Sequence, residues 1–417
     1  MRRVELFFGR HVHPVYREQL HAVPEGWEYV HTAPEMSDVA APTKRIAERR
    51  AALAPVRERA ESLALRMLSA AGYVHHIRTR PQRGVELIHA AERLVWRSPV
   101  PYVVDLEHVE LFVLYQRAAF DRPWTRSLLE SALLDERLRF LLPWSDMARR
   151  SVLEVVSPHA AAALEPKLRT VYPAVRPVAE APHERGGRTL RVLFIGTLFV
   201  EKGGAEALLA LREVRRSHDV ELDVVTYAPR EWARQLEQEP GVRLHAPGGQ
   251  DLIRRLYAEA DVLLFPSHMD TYGVVVGEAM AHGLPVLAPR HLALTELIED
   301  GESGLLFPPE NMLYREDTRC RFGHAIPAPR SYLEALARPS EGYVGGIADA
   351  LARLAEDGAL YERLAAGSLA TVVSGRLSIP RRRAALGEIY EAARTSSMQA
   401  TASAATTRSC PTGGDDR

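Results

Sequence analysis

The stretch Asp261-Val-Leu-Leu-Phe-Pro266-Ser-His-Met-Asp270-Thr-Tyr-Gly273-Val-Val-Val-Gly-Glu278-Ala-Met-Ala-His-Gly283-Leu-Pro285-Val286 decides the fold. An apolar run of strand length leads into a polar loop that carries Asp270. Gly273 then opens a short helix, and Gly283 and Pro285 close it in the manner expected of a helix C-terminus. Glu278 lies one turn beyond Val274 on the same face of that helix. Both carboxylates can point at one ligand, while the helix start offers N–H groups to an anion. A ligand made of base, phosphate and sugar would use all three features. The competing reading is a helix cap at Asp270 and a surface charge at Glu278.

Working outward, the same strand–loop–helix unit recurs. Strands are predicted at 190–196, 220–226, 241–246, 261–265, 285–288 and 304–307, with helical patterns at 204–216, 230–238, 250–259, 274–282 and 292–299. Strands separated by helices predict a parallel, doubly wound sheet. Residues 311–341 interrupt it with a polar stretch lacking periodicity, read as an inserted loop. Helices resume at 344–355, 359–366 and 380–394, and a Ser/Thr/Ala/Gly-rich tail over 395–417 is read as disordered. In the first half, runs at 4–8, 28–31, 85–90, 101–106 and 139–142 predict another such sheet. Residues 173–189 hold three prolines and two adjacent glycines, the composition of a surface connection. The expected domains are 1–175 and 190–379, joined by 176–189, with the helix 380–394 packing back on the first. Ligands of such sheets bind outside the carboxyl ends of the strands, here in the cleft between domains.

Phe194-Ile-Gly196-Thr-Leu-Phe-Val-Glu-Lys202-Gly203-Gly204 is the second informative segment. A strand ends, Gly196 turns the chain, and a lysine and two glycines precede a helix. That arrangement suits a phosphate oxygen, although it reads equally as an ordinary turn with a solvated lysine. Neither GxxxxGK[ST] nor GxGxxG spacing is present, so neither a P-loop nor a dinucleotide fingerprint is supported.

Composition narrows the classes. The 417 residues carry 53 basic and 54 acidic side chains, which gives no global footprint for nucleic acid. Only Lys44, Lys167 and Lys202 are lysines; every other basic residue is arginine. Two cysteines make neither a disulfide framework nor a four-thiolate metal site, and no Asp-x-Asp pair or His/Cys cluster has metal spacing. No apolar run approaches the length of a membrane-spanning helix. The expectation is a cytoplasmic protein without a metal or cofactor.

The 261–286 segment resembles the donor-site motif of retaining GT-B glycosyltransferases of glycosyltransferase family 4. In that family a carboxylate, seven residues and a glutamate are followed by Ala-Met-Ala-x-Gly-x-Pro-Val, here Asp270, Glu278 and Ala279–Val286. The resemblance covers about 188–310 and resumes at about 344–394, where Ile389-Tyr390 sits in a closing helix. It implies two Rossmann-like domains facing a cleft and transfer of a hexose from a nucleoside diphosphate sugar to a hydroxyl. Glu278 would bind ribose hydroxyls and Asp270 the donor sugar. Gly196, Thr197 and the N–H groups of Tyr272, Gly273 and Val274 would meet the diphosphate, and Lys202 would neutralise its charge.

Two positions depart from the family. Asp270 replaces the usual glutamate. Thr197 stands where arginine is frequent, which leaves Arg230, Arg254 and Arg255 as replacement cations to consider. On the acceptor side, His108 best matches the family's histidine near the transferred sugar, with Glu107 one register away, and the loop after Gly9 is placed beside them. The basic stretch 43–72 reads either as a peripheral membrane contact or as a solvated face. Alternatives of other classes are a non-catalytic GT-B partner protein that binds nucleotide sugar, and a GT-B sugar-nucleotide epimerase or hydrolase.

Overall fold

The computed structural model describes residues 1–7, 15–31, 63–64, 67–68, 70–325 and 328–407. The loop after Gly9 and most of the basic stretch 43–72 lie outside the described residues.

Two all-parallel sheets form the frame. The N-terminal sheet is built from β1 (Arg2–Phe7), β2 (Trp27–His31), β3 (Val85–Ala91), β4 (Tyr102–Leu106) and β5 (Leu138–Pro143), in the order β2-β1-β3-β4-β5. The C-terminal sheet holds β6 (Leu190–Leu198), β7 (Val220–Tyr227), β8 (Val242–His245), β9 (Val262–Leu264), β10 (Val286–Pro289) and β11 (Gly304–Phe307), ordered β8-β7-β6-β9-β10-β11. Strands such as β4 and β9 are buried at every residue, which is why they read as unbroken apolar runs.

The strand orders locate the ligand sites. In a doubly wound sheet the crevice opens where the strand order reverses direction. That point lies between β6 and β9 in the C-terminal sheet and between β1 and β3 in the N-terminal one. Both switch points therefore face the seam between the domains, where a shared apolar core joins Val4 and Leu6 to Tyr272, Val276 and Tyr390.

Two helices on the C-terminal side of β5 follow serine caps that the periodicity alone did not reveal. Ser145 accepts the N–H of Ala148 at 3.1 Å at the head of α1 (Asp146–Val155), and Ser157 accepts that of Ala160 at 3.3 Å at the head of α2 (Pro158–Leu164). The last helix, α3 (Ile379–Thr407), runs thirteen residues past the expected end at 394. The rest of the expected tail, 408–417, lies outside the described residues.

The 311–341 segment is more than a loop. Tyr314 and Cys320 pair in an antiparallel bridge, and residues 330–336 form a helix whose Tyr332 and Leu336, four apart, are buried. Its chain crosses to the N-terminal domain: Ala325 N–H bonds Tyr115 O at 3.0 Å, and Ala118 N–H bonds Gly323 O at 2.7 Å.

Candidate active site

The turn after β6 is tight for a visible reason. Gly203 adopts φ +78°, and a Cβ there would stand 2.1 Å from the carbonyl oxygen of Pro266, the residue that leaves β9. The two walls of the switch point thus touch through a glycine. Gly203→Ala is expected to lower the unfolding midpoint by several degrees and to abolish soluble yield at elevated temperature, through overpacking and a disfavoured φ worth about 1–3 kcal/mol each. Differential scanning fluorimetry of the purified variant checks it.

Gly196 has a different task. A Cβ on it would come within 2.7 Å of Lys202 Cβ, so its bareness lets the Lys202 chain lie across the strand end. Lys202 Nζ donates to Met269 O at 2.9 Å and forms a short ion pair with Asp270 Oδ2, which also accepts the Ser267 hydroxyl at 2.9 Å. The lysine and first carboxylate singled out in the sequence, 68 residues apart, are thereby joined. Both side chains keep some exposure, 19% and 17%.

Gly273, at φ +88°, caps α4 (Val274–Ala281). The first N–H groups of that helix have no intrahelical acceptor and carry the positive end of its dipole. Tyr272 is buried with its ring edge-on to Trp144 at 5.5 Å, which fixes the loop that presents these groups. Glu278 sits one turn in, and the Tyr257 hydroxyl donates to its Oε2 at 3.1 Å. The Tyr257 ring stacks on His282 at 5.0 Å. Sequence reasoning missed both Tyr257 and Ser267.

The acceptor-side expectations separate. Glu107 stands in the cleft, where Thr271, next to Asp270, donates its hydroxyl to Glu107 Oε1 across the domain seam. Burial, opposed by that hydrogen bond, raises the Glu107 carboxyl above its ordinary range; Asp270 adds to the rise and Lys202 reduces it. His108 is engaged elsewhere. Its Nδ1 accepts the Glu110 N–H at 3.3 Å, so Nε2 carries the proton and donates to Thr318 O at 3.0 Å. Burial pushes its pKa down to about 4, and the neutral ring links the N-terminal domain to the 311–325 crossing. Both ring nitrogens of His108, expected on the acceptor side, are thus bonded to backbone. Gly9 lies outside the described residues.

Thr197 is exposed at the end of β6. Of the replacement cations, Arg254 pairs with Asp251 and Arg255 with Glu259 along their own helix, and Arg230 is exposed at the start of the next one back. Among the described residues no three His, Cys, Asp or Glu side chains gather as a metal site, and no helix is long and apolar enough to cross a membrane.

A buried network behind the site was also missed. Arg382 of α3 makes a two-pronged bond to Asp105, at 3.2 and 2.9 Å, and donates to Val171 O, Tyr172 O and Gln19 Oε1. His89 Nε2 lies 3.1 Å from Asp105 Oδ2, and its Nδ1 is 2.6 Å from the Tyr390 hydroxyl. This pins the closing helix to β3 and β4, directly below the strand ends that carry Glu107.

Comparison with known proteins bears on the fold and on the C-terminal half. Residues 189–315 match the family Glycosyl transferases group 1. Over 128 residues the chain is 34% identical to a D-inositol 3-phosphate glycosyltransferase of Corynebacterium kroppenstedtii, a match covering 28% of each chain. An uncharacterized glycosyltransferase of Methanocaldococcus jannaschii is 31% identical over 126 residues, covering 29% of this chain and 32% of that one. The sequence matches thus span about a third or less of these relatives. Across almost the whole length the architecture is shared with Anabaena HepE, solved with UDP and glucose, at TM-score 0.54 and 13% identity, covering 94% of this chain and 99% of that one. Sucrose-phosphate synthase of Thermosynechococcus elongatus gives TM-score 0.55 and 14% identity, covering 94% and 98%. The chain has the GT-B fold of two Rossmann-like domains, and its C-terminal half carries a glycosyl transferases group 1 segment.

Proposed function

We propose that the protein is a retaining, metal-independent glycosyltransferase that moves a hexose from a nucleoside diphosphate sugar to an acceptor hydroxyl. The observation that carries this reading is the convergence of Lys202, Asp270 and the head of α4 on one switch point. Glu278, held by Tyr257, accepts the ribose hydroxyls. The free N–H groups at 272–274 meet the diphosphate. Asp270 accepts hydroxyls of the sugar, while Lys202 turns from it toward the leaving phosphate as charge builds there. The bond from the anomeric carbon to phosphate oxygen breaks, that carbon bonds to the acceptor oxygen on the same face, and the acceptor's proton passes to the departing phosphate. Glu107 lies beside that face.

HepE was solved with UDP and glucose, so uridine diphosphate sugars head the panel to be tried. Thermal protection by a nucleotide sugar together with diphosphate release in the presence of hydroxyl acceptors is the expected result; no protection at millimolar concentration rejects the proposal. Glu278→Ala is expected to weaken nucleotide binding about 10- to 100-fold, the loss of charged hydrogen bonds worth about 1.5–3 kcal/mol. Calorimetric titration with the diphosphate checks it.

Two features favour a second reading. Thr197 supplies no charge, and Lys202 is already committed to Asp270. Nucleotide-sugar binding without diphosphate release, across acceptors and in their absence, identifies a silent binding partner. Release without an acceptor identifies a hydrolase, and a changed sugar still on its nucleotide an epimerase.

A further inference from the structure

Glu92 follows directly on the last residue of β3, at the switch point of the N-terminal sheet. Its N–H bonds Asp105 O at 2.9 Å, which fixes it beside the end of β4, two residues short of Glu107. The backbone there is left-handed, φ +56°. Its Oε1 is closed off from solvent and has no hydrogen-bond partner. The charged groups around it are mostly of its own sign. Glu107 and Asp105 raise its pKa and Arg93 lowers it, but burial dominates and pushes the carboxyl up to about 8. The phenols of Tyr16 and Tyr115 also lie within its field. Arg93, the next residue, is the cation whose charge reaches it; Arg382 is taken by Asp105 and Lys202 by Asp270.

We infer that Glu92 and Glu107 form the acceptor subsite, and that it takes a polyol bearing a cationic amine rather than a phosphate or other anion. A half-buried carboxyl with one oxygen shut from solvent and unpartnered costs free energy unless a ligand supplies the partner. Two carboxyls at adjacent strand ends supply acceptors for an ammonium and for hydroxyls; the ammonium favours their ionised form, whereas an anion opposes it. The ligand sits on the acceptor side of the seam, because Glu107 reaches across to Thr271 beside the donor carboxylate Asp270. The name "acceptor" rests on the proposed transfer; the preference for a cationic polyol does not.

The test uses the full chain without nucleotide and three matched probes: glucamine, sorbitol and sorbitol 6-phosphate, titrated calorimetrically at pH 7 in buffers of differing ionisation enthalpy. Glucamine is expected to bind at least about 10-fold tighter than sorbitol, and sorbitol 6-phosphate weakest. Because the empty Glu92 carboxyl holds its proton below about pH 8, glucamine binding should release close to one proton at pH 7 and almost none at pH 9. Glu92→Gln, nearly the same shape, should abolish both the preference and the proton release. Should that variant fail to fold, Glu107→Gln must weaken the same preference. Equal binding of the three probes, tightest binding of the phosphate, no saturable glucamine binding up to about 100 mM, or a preference that survives Glu92→Gln overturns the inference. Nucleotide binding is read separately, so failure of the transfer reading leaves a Glu92-dependent glucamine signal standing, and the reverse result is equally distinct.

Discussion

Lys202→Ala is expected to lower turnover about 100- to 1000-fold, the range found when one preorganised charge-stabilising donor is removed. Binding should suffer much less. In the ground state Lys202 is shared with Asp270 Oδ2 and Met269 O, and its largest contribution comes when negative charge accumulates on the departing phosphate. Removing it has a second consequence, because Asp270 keeps only the Ser267 hydroxyl and repels an incoming diphosphate. The double variant Lys202→Ala, Asp270→Asn should therefore recover nucleotide affinity without recovering turnover. Lys202→Arg should not restore activity either. The lysine stem lies across the bare face of Gly196, where a would-be Cβ stands 2.7 Å from Lys202 Cβ, and a planar guanidinium does not turn there like a compact ammonium. Separate kcat and KM values for the three variants check each statement.

Arg382→Leu is expected to destabilise the protein by about 3–5 kcal/mol, the cost of leaving a buried partner charge uncompensated. The side chains of Arg382 and Asp105 are 2% and 0% exposed, so solvent does not screen the pair. Replacing Asp105 as well, in the double variant Arg382→Leu, Asp105→Leu, should recover much of the loss. The pH dependence follows from the carboxylate. Burial raises the Asp105 pKa, but Arg382 and His89 outweigh it and the net shift is downward. A folded-state pKa below the unfolded one gives stability that is fully present above the unfolded value near 4 and is lost as pH falls through the folded value. Wild-type protein should therefore lose this contribution only under acid conditions, whereas Arg382→Leu should be weak already at pH 7 and gain relative to wild type as Asp105 protonates. Denaturant midpoints between about pH 3 and 7 check the sign.

What the sequence reveals depends on how local each signal is. The strand, turn and helix around Asp270 are contiguous, and Gly273, Gly283 and Pro285 punctuate them, so the C-terminal sheet could be read strand by strand. Glu278 follows from helical spacing within the same unit. Pairing Lys202 with Asp270 needed a family resemblance, because nothing in either segment names the other. Arg382 stands in a run of three arginines, 381–383, of which only the middle one is buried; which of them turns inward depends on where α3 lands. Glu92 was invisible for a similar reason. A glutamate after an apolar strand is ordinary, and only the strand order makes it a neighbour of Glu107. The backbone partners of His108 were not legible, because a polar residue at a strand end points to a cleft in one register and to a domain seam in the next.

The crossing of residues 311–325 onto the N-terminal domain has a consequence for recombination. Besides its bonds to Tyr115 and Ala118, this segment delivers Thr318 to His108 and, through the Thr318 hydroxyl, to Glu154 at 3.2 Å. Glu296, from the same half of the chain, accepts the N–H groups of Asp146 and Met147 at 2.7 and 2.8 Å and so finishes the head of α1. The N-terminal half is thus completed by pieces encoded after residue 290. A donor half and an acceptor half of this chain are not interchangeable cassettes: a chimaera joined at the 176–189 connection must import Glu296 and the 311–325 segment along with the N-terminal half they finish, or it inherits open helix ends and an unfilled seam.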